Sequence, residues 1–154
     1  MATSGKKSIL FVCLGNICRS PACEGVCKFF ARDDLIVESA STSSWHRNEG
    51  PDERAQEICL KHGIDITGHR SRPIRSDDWS RFDIIAALDD SCFQTLEQAK
   101  PSDAHAKVVL FNPPNGIADP YYGGRTGFQK MFDQIFKTMQ NFLEDNDLLP
   151  KSNN

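Results

Sequence analysis

Four short strand-like segments alternate with helical segments along this chain, and the first of them is a continuous apolar run. The strand-like segments are residues 8–12, 36–40, 83–88 and 107–111, and the main helical segments are residues 20–32, 51–63, a stretch that ends near residue 99, and residues 127–144. A strand that is apolar at every position, rather than at every second one, is typical of a sheet covered on both faces. Strands that alternate with helices favour a parallel sheet joined by right-handed crossovers.

The length of the chain fits one such sheet. Its 154 residues suit one core, so we predict an α/β fold with a single doubly wound domain over residues 1–154. Four parallel strands are flanked by helices, as in flavodoxin-like and Rossmann-like folds, and we expect residues 1–6 and 145–154 to be flexible. Such sheets bind ligands at the carboxyl ends of their strands, which is where Cys13 lies. The Pro- and Gly-rich loop over residues 112–127 is a second candidate for a functional segment.

Composition and charge exclude several classes of protein. With a net charge of −3, the chain lacks the basic character of a general nucleic-acid binder. Its apolar runs are too short to span a membrane, and the first one ends at Gly15-Asn16 before the core of a signal peptide develops. The six cysteines form no C-x-x-C pair, which argues against a structural zinc site. We therefore predict a cytoplasmic protein with reduced thiols, no metal and no cofactor.

The segment from Cys13 to Arg19 joins the first strand to a helix that has Pro21 near its start. A loop in this position can turn successive backbone N–H groups inward, and such a nest binds an oxyanion beside the positive end of the helix. The same field stabilises a thiolate. Arg19 offers a planar fork for two phosphate oxygens, and we expect Gly15 to supply a backbone angle closed to other residues. The segment predicts a nucleophile aimed at phosphorus, with phosphate held by Leu14, Gly15, Asn16, Ile17, Cys18 and Arg19.

The sequence VCLGNICRSP, residues 12–21, resembles the signature of the low-molecular-weight protein tyrosine phosphatases. The resemblance covers almost the whole chain. It includes ESA at residues 38–40 with Thr42 and Trp45, PD and RA within residues 51–55, HRSR at residues 69–72, and DPYYG at residues 119–123. It implies hydrolysis of phosphotyrosine monoesters through a phosphocysteine intermediate, with Cys13 as the nucleophile and Arg19 as the phosphate clamp.

The resemblance also implies roles for the second functional loop. Asp119, followed by Pro120, is the general acid that protonates the phenolic oxygen, and it then acts as the base for the hydrolytic water. The phenyl ring of the substrate is expected to lie in a pocket formed by Ile17, Trp45, Tyr121 and Tyr122.

Several polar residues are expected to support the segment from Cys13 to Arg19, which we call the phosphate loop. Ser20 can donate its hydroxyl to the sulfur of Cys13, and it can also cap the helix. Asn16 tolerates left-handed backbone angles. The resemblance ties it to Ser39 and His69, and it implies that Asp89 supports the same network. The supporting residues are Ser20, Ser39, His69, Arg72 and Asp89. Ser41 and Cys92 depart from the usual residues of the family, which are glycine and asparagine.

Three other functions fit parts of the pattern. A thioredoxin-coupled arsenate reductase has the same fold and loop, but it needs two further cysteines seven positions apart, and Ile85 stands where the partner of Cys92 would be. An arginine phosphatase carries a smaller, polar residue in place of Ile17. A phosphate- or phosphopeptide-binding protein without turnover would have lost the nucleophile, the arginine or the acid, and all three are present.

The opening loop also predicts a redox switch. Peroxide oxidises a thiolate first, and the loop can bring Cys18 close enough to Cys13 for a disulfide. We expect substrates to be phosphotyrosine proteins or peptides and small aryl phosphates, the latter an acid-phosphatase-like activity, and we expect inhibition by phosphate and vanadate. We expect a monomer, with no nucleic-acid or membrane partner.

Overall fold

The structure is a computed structural model, and it describes residues 6–149. Four strands and five helices follow one another along these residues. They are β1 (Lys7–Cys13), α1 (Arg19–Ala31), β2 (Leu35–Ser41), α2 (Glu53–Lys61), α3 (Asp78–Arg81), β3 (Ile84–Ala87), α4 (Asp90–Ala99), β4 (Lys107–Leu110) and α5 (Gly124–Asp145). Within the described part of the chain, no helix is long and apolar enough to cross a membrane.

The strands form one sheet in the order β2-β1-β3-β4, and all neighbouring pairs are parallel. The predicted α/β fold is therefore confirmed. β1 lies in the middle and pairs with β2 on one side and β3 on the other, with Cys13 opposite Ser41. From β1 the chain continues to β2 on one side of the sheet and then to β3 and β4 on the other. The loops after β1 and β3 therefore diverge and leave a crevice at the carboxyl edge of the sheet.

The core has two layers because β1 sends alternate side chains to opposite faces. Ile9, Phe11 and Cys13 pack on the face covered by α1, α2 and α5, whereas Leu10 and Val12 pack on the face that carries α3 and α4. All five are buried. A strand covered on both faces has no polar side, which is why its sequence is a continuous apolar run.

The ends of several elements differ from the sequence prediction. α1 begins at Arg19, next to its predicted start near Ser20, whereas α5 begins at Gly124 rather than at residue 127. Within residues 145–149, which were predicted to be flexible, Leu148 is buried, and its N–H donates to the carbonyl of Leu143. A leucine after the helix gains more from burial than it loses in chain freedom. Of the other residues predicted to be flexible, residues 1–5 and 150–154 lie outside the described residues.

Candidate active site

The loop between β1 and α1 curls around the sulfur of Cys13. The backbone N–H of Asn16 donates to Cys13 Sγ at 3.2 Å, and the hydroxyl of Ser20 lies 3.0 Å from the same atom. Asn16 has a φ of 58°, in the left-handed region that asparagine tolerates better than most residues. The loop therefore turns back on itself at Asn16 and places donors around the thiol.

The expectation for Gly15 is wrong in its physical reason. The left-handed residue of the loop is Asn16, and Gly15 is not among the residues with a positive φ. A Cβ at position 15 would lie 3.1 Å from Cδ2 of His46, a tight contact that the His46 ring would have to relieve by a small shift. His46 belongs to the loop after β2, so this constraint arises only when the two loops pack together.

Arg19 is buried at the start of α1, and its guanidinium is held by two other loops. Nη1 donates to Asp89 Oδ2 at 2.6 Å and to the carbonyl of Ile117 at 3.0 Å. Nη2 lies 3.6 Å from Asp119 Oδ2. Burial alone would lower the pKa of Arg19, but Cys13 and the two carboxylates raise it on balance. The guanidinium is thus a fixed cation beside the sulfur.

Asp119 lies at the rim of the same site. Its side chain is half exposed, and Oδ1 accepts a hydrogen bond from the backbone N–H of Tyr121 at 3.1 Å. Tyr121 is in turn held by Arg54, whose guanidinium carbon lies 5.4 Å from the centroid of the Tyr121 ring. The same carbon lies 4.5 Å from the centroid of the Phe128 ring. The Asp119 loop is therefore tied to α2 and α5 through Arg54, which Asp52 fixes with two hydrogen bonds.

These groups surround one cavity of about 250 Å³. Its floor is formed by the phosphate loop and Cys13, and its walls include every residue predicted to contact the substrate ring: Ile17, Trp45, Tyr121 and Tyr122. Asp119 and Arg19 also line it. His46 is a further wall residue that the sequence did not assign to the pocket; its Nδ1 lies 3.0 Å from Glu49 Oε1.

A hydrogen-bonded network lies behind the loop, and it contains most of the predicted supporting residues. The amide nitrogen of Asn16 donates to Ser20 Oγ at 2.7 Å and to Ser39 Oγ at 3.0 Å. The side-chain Oδ1 of Asn16 accepts a hydrogen bond from the backbone N–H of Arg72. Nε2 of His69 lies 3.0 Å from the backbone carbonyl oxygen of Asn16. Arg72 contributes through its backbone, because its guanidinium pairs with the fully buried Asp78.

Asp89 differs from the expectation, because it contacts Arg19 and not the Asn16 network. It is the N-cap of α4, where Oδ1 accepts from the backbone N–H of Cys92 at 2.7 Å. Burial would raise the pKa of Asp89, but the hydrogen bonds from Cys92 and Arg19 lower it below its ordinary value. Any residue except proline supplies the same N–H at position 92, so the departure at Cys92 leaves the cap intact.

The other departure, Ser41, is also accommodated. Its hydroxyl donates to the carbonyl oxygen of Ser43 at 2.6 Å and lies 3.1 Å from that of Arg72. The serine thus joins the end of β2 to the two loops that carry the pocket wall and the Asn16 network.

Glu24 is the residue of this network that sequence reasoning missed. It lies on α1 one turn after Ser20, and its Oε1 accepts from the hydroxyl of Ser39 at 2.7 Å. The i,i+4 spacing to Ser20 is the only signal in the sequence, and it does not distinguish a buried acid from a surface one.

The cysteines are all buried and free within the described residues. Burial raises the pKa of the Cys18 thiol, and the charges of Asp52 and Cys13 raise it further. In residues 6–149, no group of three His, Cys, Asp or Glu side chains is placed to hold a metal ion.

Comparison with known proteins gives one consistent family. A family model described as "Low molecular weight phosphotyrosine protein phosphatase" matches residues 8–152. The protein of that name from Schizosaccharomyces pombe is 40% identical over 149 residues, covering 88% of this chain and 94% of the relative. The one from Gallus gallus is 36% identical, covering 94% and 98%.

Solved structures agree with this assignment. A protein tyrosine phosphatase from Entamoeba histolytica superposes with a TM-score of 0.85 at 31% identity, covering 92% of this chain and 97% of the other. A Drosophila arginine phosphatase superposes with a TM-score of 0.83, also at 31% identity, covering 95% and 99%. The chain belongs to the low molecular weight phosphotyrosine protein phosphatase family.

Proposed function

We propose that this protein hydrolyses phosphotyrosine monoesters through a phosphocysteine intermediate, with Cys13 as the nucleophile, Arg19 as the phosphate clamp and Asp119 as the general acid and base. The observation that carries the proposal is the meeting of these three side chains at one cavity, although Asp119 is about a hundred residues away from the other two. Membership of the phosphatase family supports the same chemistry.

In the first step, the Cys13 thiolate attacks phosphorus from the floor of the cavity. In this proposal, the backbone N–H groups of residues 14–19 and the fork of Arg19 bind the three non-bridging oxygens and stabilise the charge that spreads over them. Arg19 is suited to this role because Asp89 and Ile117 already orient its guanidinium. Asp119, at the rim, donates its proton to the phenolic oxygen as the tyrosine leaves.

In the second step, the phosphoryl group passes from sulfur to water. Asp119, now a carboxylate, accepts a proton from the water as it attacks phosphorus, and the Cys13 thiolate leaves. The N–H of Asn16 and the hydroxyl of Ser20 stabilise the sulfur while it carries negative charge. No step draws on a metal or a cofactor.

The walls of the cavity favour a flat aromatic ring. Ile17, Trp45, Tyr121 and Tyr122 line it, and aromatic and aliphatic side chains bind a phenyl group by burial and ring stacking. We propose phosphotyrosine proteins or peptides as substrates, together with small aryl phosphates, and inhibition by phosphate and vanadate. Phosphoarginine is the second candidate, because a structural relative is named an arginine phosphatase; the apolar Ile17 disfavours its charged guanidinium group.

We also propose that peroxide inactivates the enzyme reversibly. The Cys13 thiolate attacks one oxygen of hydrogen peroxide, hydroxide leaves, and a sulfenic acid forms. The thiolate of Cys18 then attacks that sulfur and displaces hydroxide, which forms a disulfide that two electrons from a dithiol reduce. Because burial raises the pKa of Cys18, the second reaction should become faster as the pH rises.

The setting of this activity is a further part of the proposal. We propose one catalytic domain over the chain, working as a monomer in the cytoplasm. Six buried cysteines without a disulfide fit a reducing compartment.

The decisive experiment compares peptides that carry phosphotyrosine, phosphoserine or phosphoarginine, each with and without a chelator. We expect hydrolysis of the phosphotyrosine peptide, little hydrolysis of the other two, no effect of the chelator and no turnover by Cys13→Ser. A preference for phosphoarginine would establish the second candidate instead. Turnover that a chelator abolishes, or that Cys13→Ser retains, would contradict the mechanism.

A further inference from the structure

Glu24 ends a chain of hydrogen bonds that leads to the sulfur of Cys13. Its carboxylate is mostly buried behind the phosphate loop, where Oε1 accepts from Ser39 Oγ at 2.7 Å and Oε2 accepts from Lys28 Nζ at 2.8 Å. Nδ1 of His69 lies 3.5 Å from Oε1. Glu24 does not line the cavity, so it contacts no reacting atom.

The direction of each hydrogen bond in this chain follows from chemistry. The backbone N–H of Arg72 can only donate, so the Asn16 atom that faces it is the oxygen Oδ1. The amide nitrogen of Asn16 therefore faces the opposite way. Its two hydrogens are donated to the hydroxyl oxygens of Ser20 and Ser39, at 2.7 Å and 3.0 Å.

Each serine hydroxyl then has one hydrogen left to donate. The hydrogen of Ser39 is directed to Glu24, because an ionised carboxylate only accepts. The hydrogen of Ser20 is directed to the sulfur of Cys13 at 3.0 Å. Without an acceptor at position 24, the buried Ser39 hydroxyl would leave its hydrogen unpaired or turn it toward Asn16, where it would displace the amide.

The charge state of Glu24 supports this arrangement. Burial alone would raise its pKa, but the contacts with His69, Lys28 and Ser39 outweigh burial and lower the pKa to about 2. Glu24 is therefore an acceptor throughout the pH range in which a phosphatase works.

We propose that Glu24 is a positioning residue of the phosphatase reaction: it accepts the Ser39 hydrogen and so, together with the Arg72 N–H, holds the Asn16 amide in the orientation that makes Ser20 a donor to the Cys13 sulfur. This inference rests on the proposed function of Cys13. The hydrogen bond from Ser20 matters whenever the sulfur is negative, in the free enzyme and when the thiolate leaves phosphocysteine.

The sign of the effect separates positioning from simple electrostatics. A carboxylate that acted only as a nearby negative charge would oppose the thiolate, and its removal would favour ionisation of Cys13. A carboxylate that orients Ser20 favours the thiolate, and its removal would disfavour ionisation. The two roles therefore predict opposite shifts in the pH dependence of thiol reactivity.

The test uses Glu24→Leu, with Glu24→Gln as the conservative variant and Glu57→Leu on α2 as the control. Alkylation of Cys13 by iodoacetamide is followed by mass spectrometry across a range of pH, and kcat and KM are measured on an activated aryl phosphate. For Glu24→Leu, we expect the alkylation midpoint to rise by about one pH unit and kcat to fall on the order of ten-fold, with little change in KM. Glu24→Gln should have an alkylation midpoint and a kcat close to those of wild type, since its amide oxygen can accept from Ser39. Glu57→Leu should match wild type in both measurements.

A double-mutant cycle shows whether Glu24 acts through Ser20. In a Ser20→Ala background, Glu24→Leu should cause no further loss of kcat, because the donor it positions is already absent. An equal loss in that background, or an alkylation midpoint that falls or stays unchanged in Glu24→Leu, would overturn the proposal.

Two further measurements keep the test decisive. If Glu24→Leu does not fold, Ser39→Ala removes the hydroxyl through which Glu24 acts and should give the same shift; a wild-type alkylation profile for Ser39→Ala would overturn the proposal. Alkylation needs no turnover, so it reports on Glu24 separately from the proposed function, which Cys13→Ser tests by its loss of activity.

Discussion

Arg19 and Asp89 form a largely buried ion pair, with 2.6 Å between Nη1 and Oδ2. Asp89 is itself fixed, because it caps α4 through the backbone N–H of Cys92. The pair therefore joins the loop after β1 to the loop after β3, across the crevice of the sheet. The guanidinium is held by contacts within the protein, so an anion that binds there does not have to order it.

Replacement of the nucleophile gives the first prediction. Cys13→Ser should lower kcat by more than about 10³-fold, because a serine hydroxyl in this site has no base to activate it. Binding of inorganic phosphate should survive within about ten-fold, since Arg19 and the loop N–H groups supply the contacts. Steady-state kinetics and calorimetric titration measure the two effects. Activity within ten-fold of wild type would remove Cys13 from this role.

Asp119 gives the second prediction, through its dependence on the leaving group. Asp119→Ala should slow hydrolysis of phenyl phosphate by about 10²–10³-fold, since phenolate is a poor leaving group without a proton. An aryl phosphate with strongly electron-withdrawing groups should lose less than about ten-fold, because its phenolate leaves unprotonated. Equal losses on both substrates would mean that Asp119 positions the substrate and is not the acid.

Cys18 gives the third prediction, on recovery from oxidation. Wild type inactivated by mild peroxide should regain most activity with dithiothreitol, and phosphate in the pocket should protect it. Cys18→Ser should recover much less, because the sulfenic acid of Cys13 then proceeds to irreversible states. Mass spectrometry should find a Cys13–Cys18 bridge only in wild type. Equal recovery of the two proteins would show that Cys18 is not the resolving thiol.

Ile17 gives the fourth prediction, on substrate choice. Ile17→Thr should lower kcat/KM for a phosphotyrosine peptide by about ten-fold, since the pocket wall loses apolar contact with the ring. The ratio of phosphoarginine to phosphotyrosine hydrolysis should rise, because a hydroxyl can pair with the guanidinium group of phosphoarginine. Competition assays with both peptides measure this ratio. An unchanged ratio would remove Ile17 as a determinant of specificity.

Gly116 gives the fifth prediction, on stability and on Arg19 together. It has a φ of 72°, and a Cβ there would lie 2.5 Å from the carbonyl oxygen of Leu88 and 2.8 Å from Cα of Asp89. Gly116→Ala should therefore lower the free energy of unfolding by about 2–3 kcal/mol. It should also lower kcat/KM, because the backbone shift moves Asp89 and Ile117, which hold Arg19.

Gly63→Ala is the matched control for this change. Gly63 has a similar φ of 76°, but nothing lies within 4 Å of a Cβ built there. Its cost should be only the backbone strain, about 1 kcal/mol, with no effect on activity. Chemical denaturation of both variants gives the comparison, and equal costs would contradict the close approach seen at Gly116.

Sequence alone was sufficient for the features that are local in the chain. The alternation of strand-like and helical segments predicted a parallel sheet, and the structure has it. The segment from Cys13 to Ser20 predicted a curled loop between strand and helix, because a nest of N–H groups requires only consecutive residues. The left-handed Asn16 was also foreseen from its side-chain chemistry.

Tertiary structure decided which distant groups meet, and in which orientation. It placed His46 against Gly15, paired Asp89 with Arg19 rather than with Asn16, and brought Glu24 to Ser39. The sequence of a helix does not show whether the side chain of an acid such as Glu24 faces solvent or a serine. Only the packing of α1 against β2 decides between them, because the direction of a buried hydrogen bond depends on every partner at once.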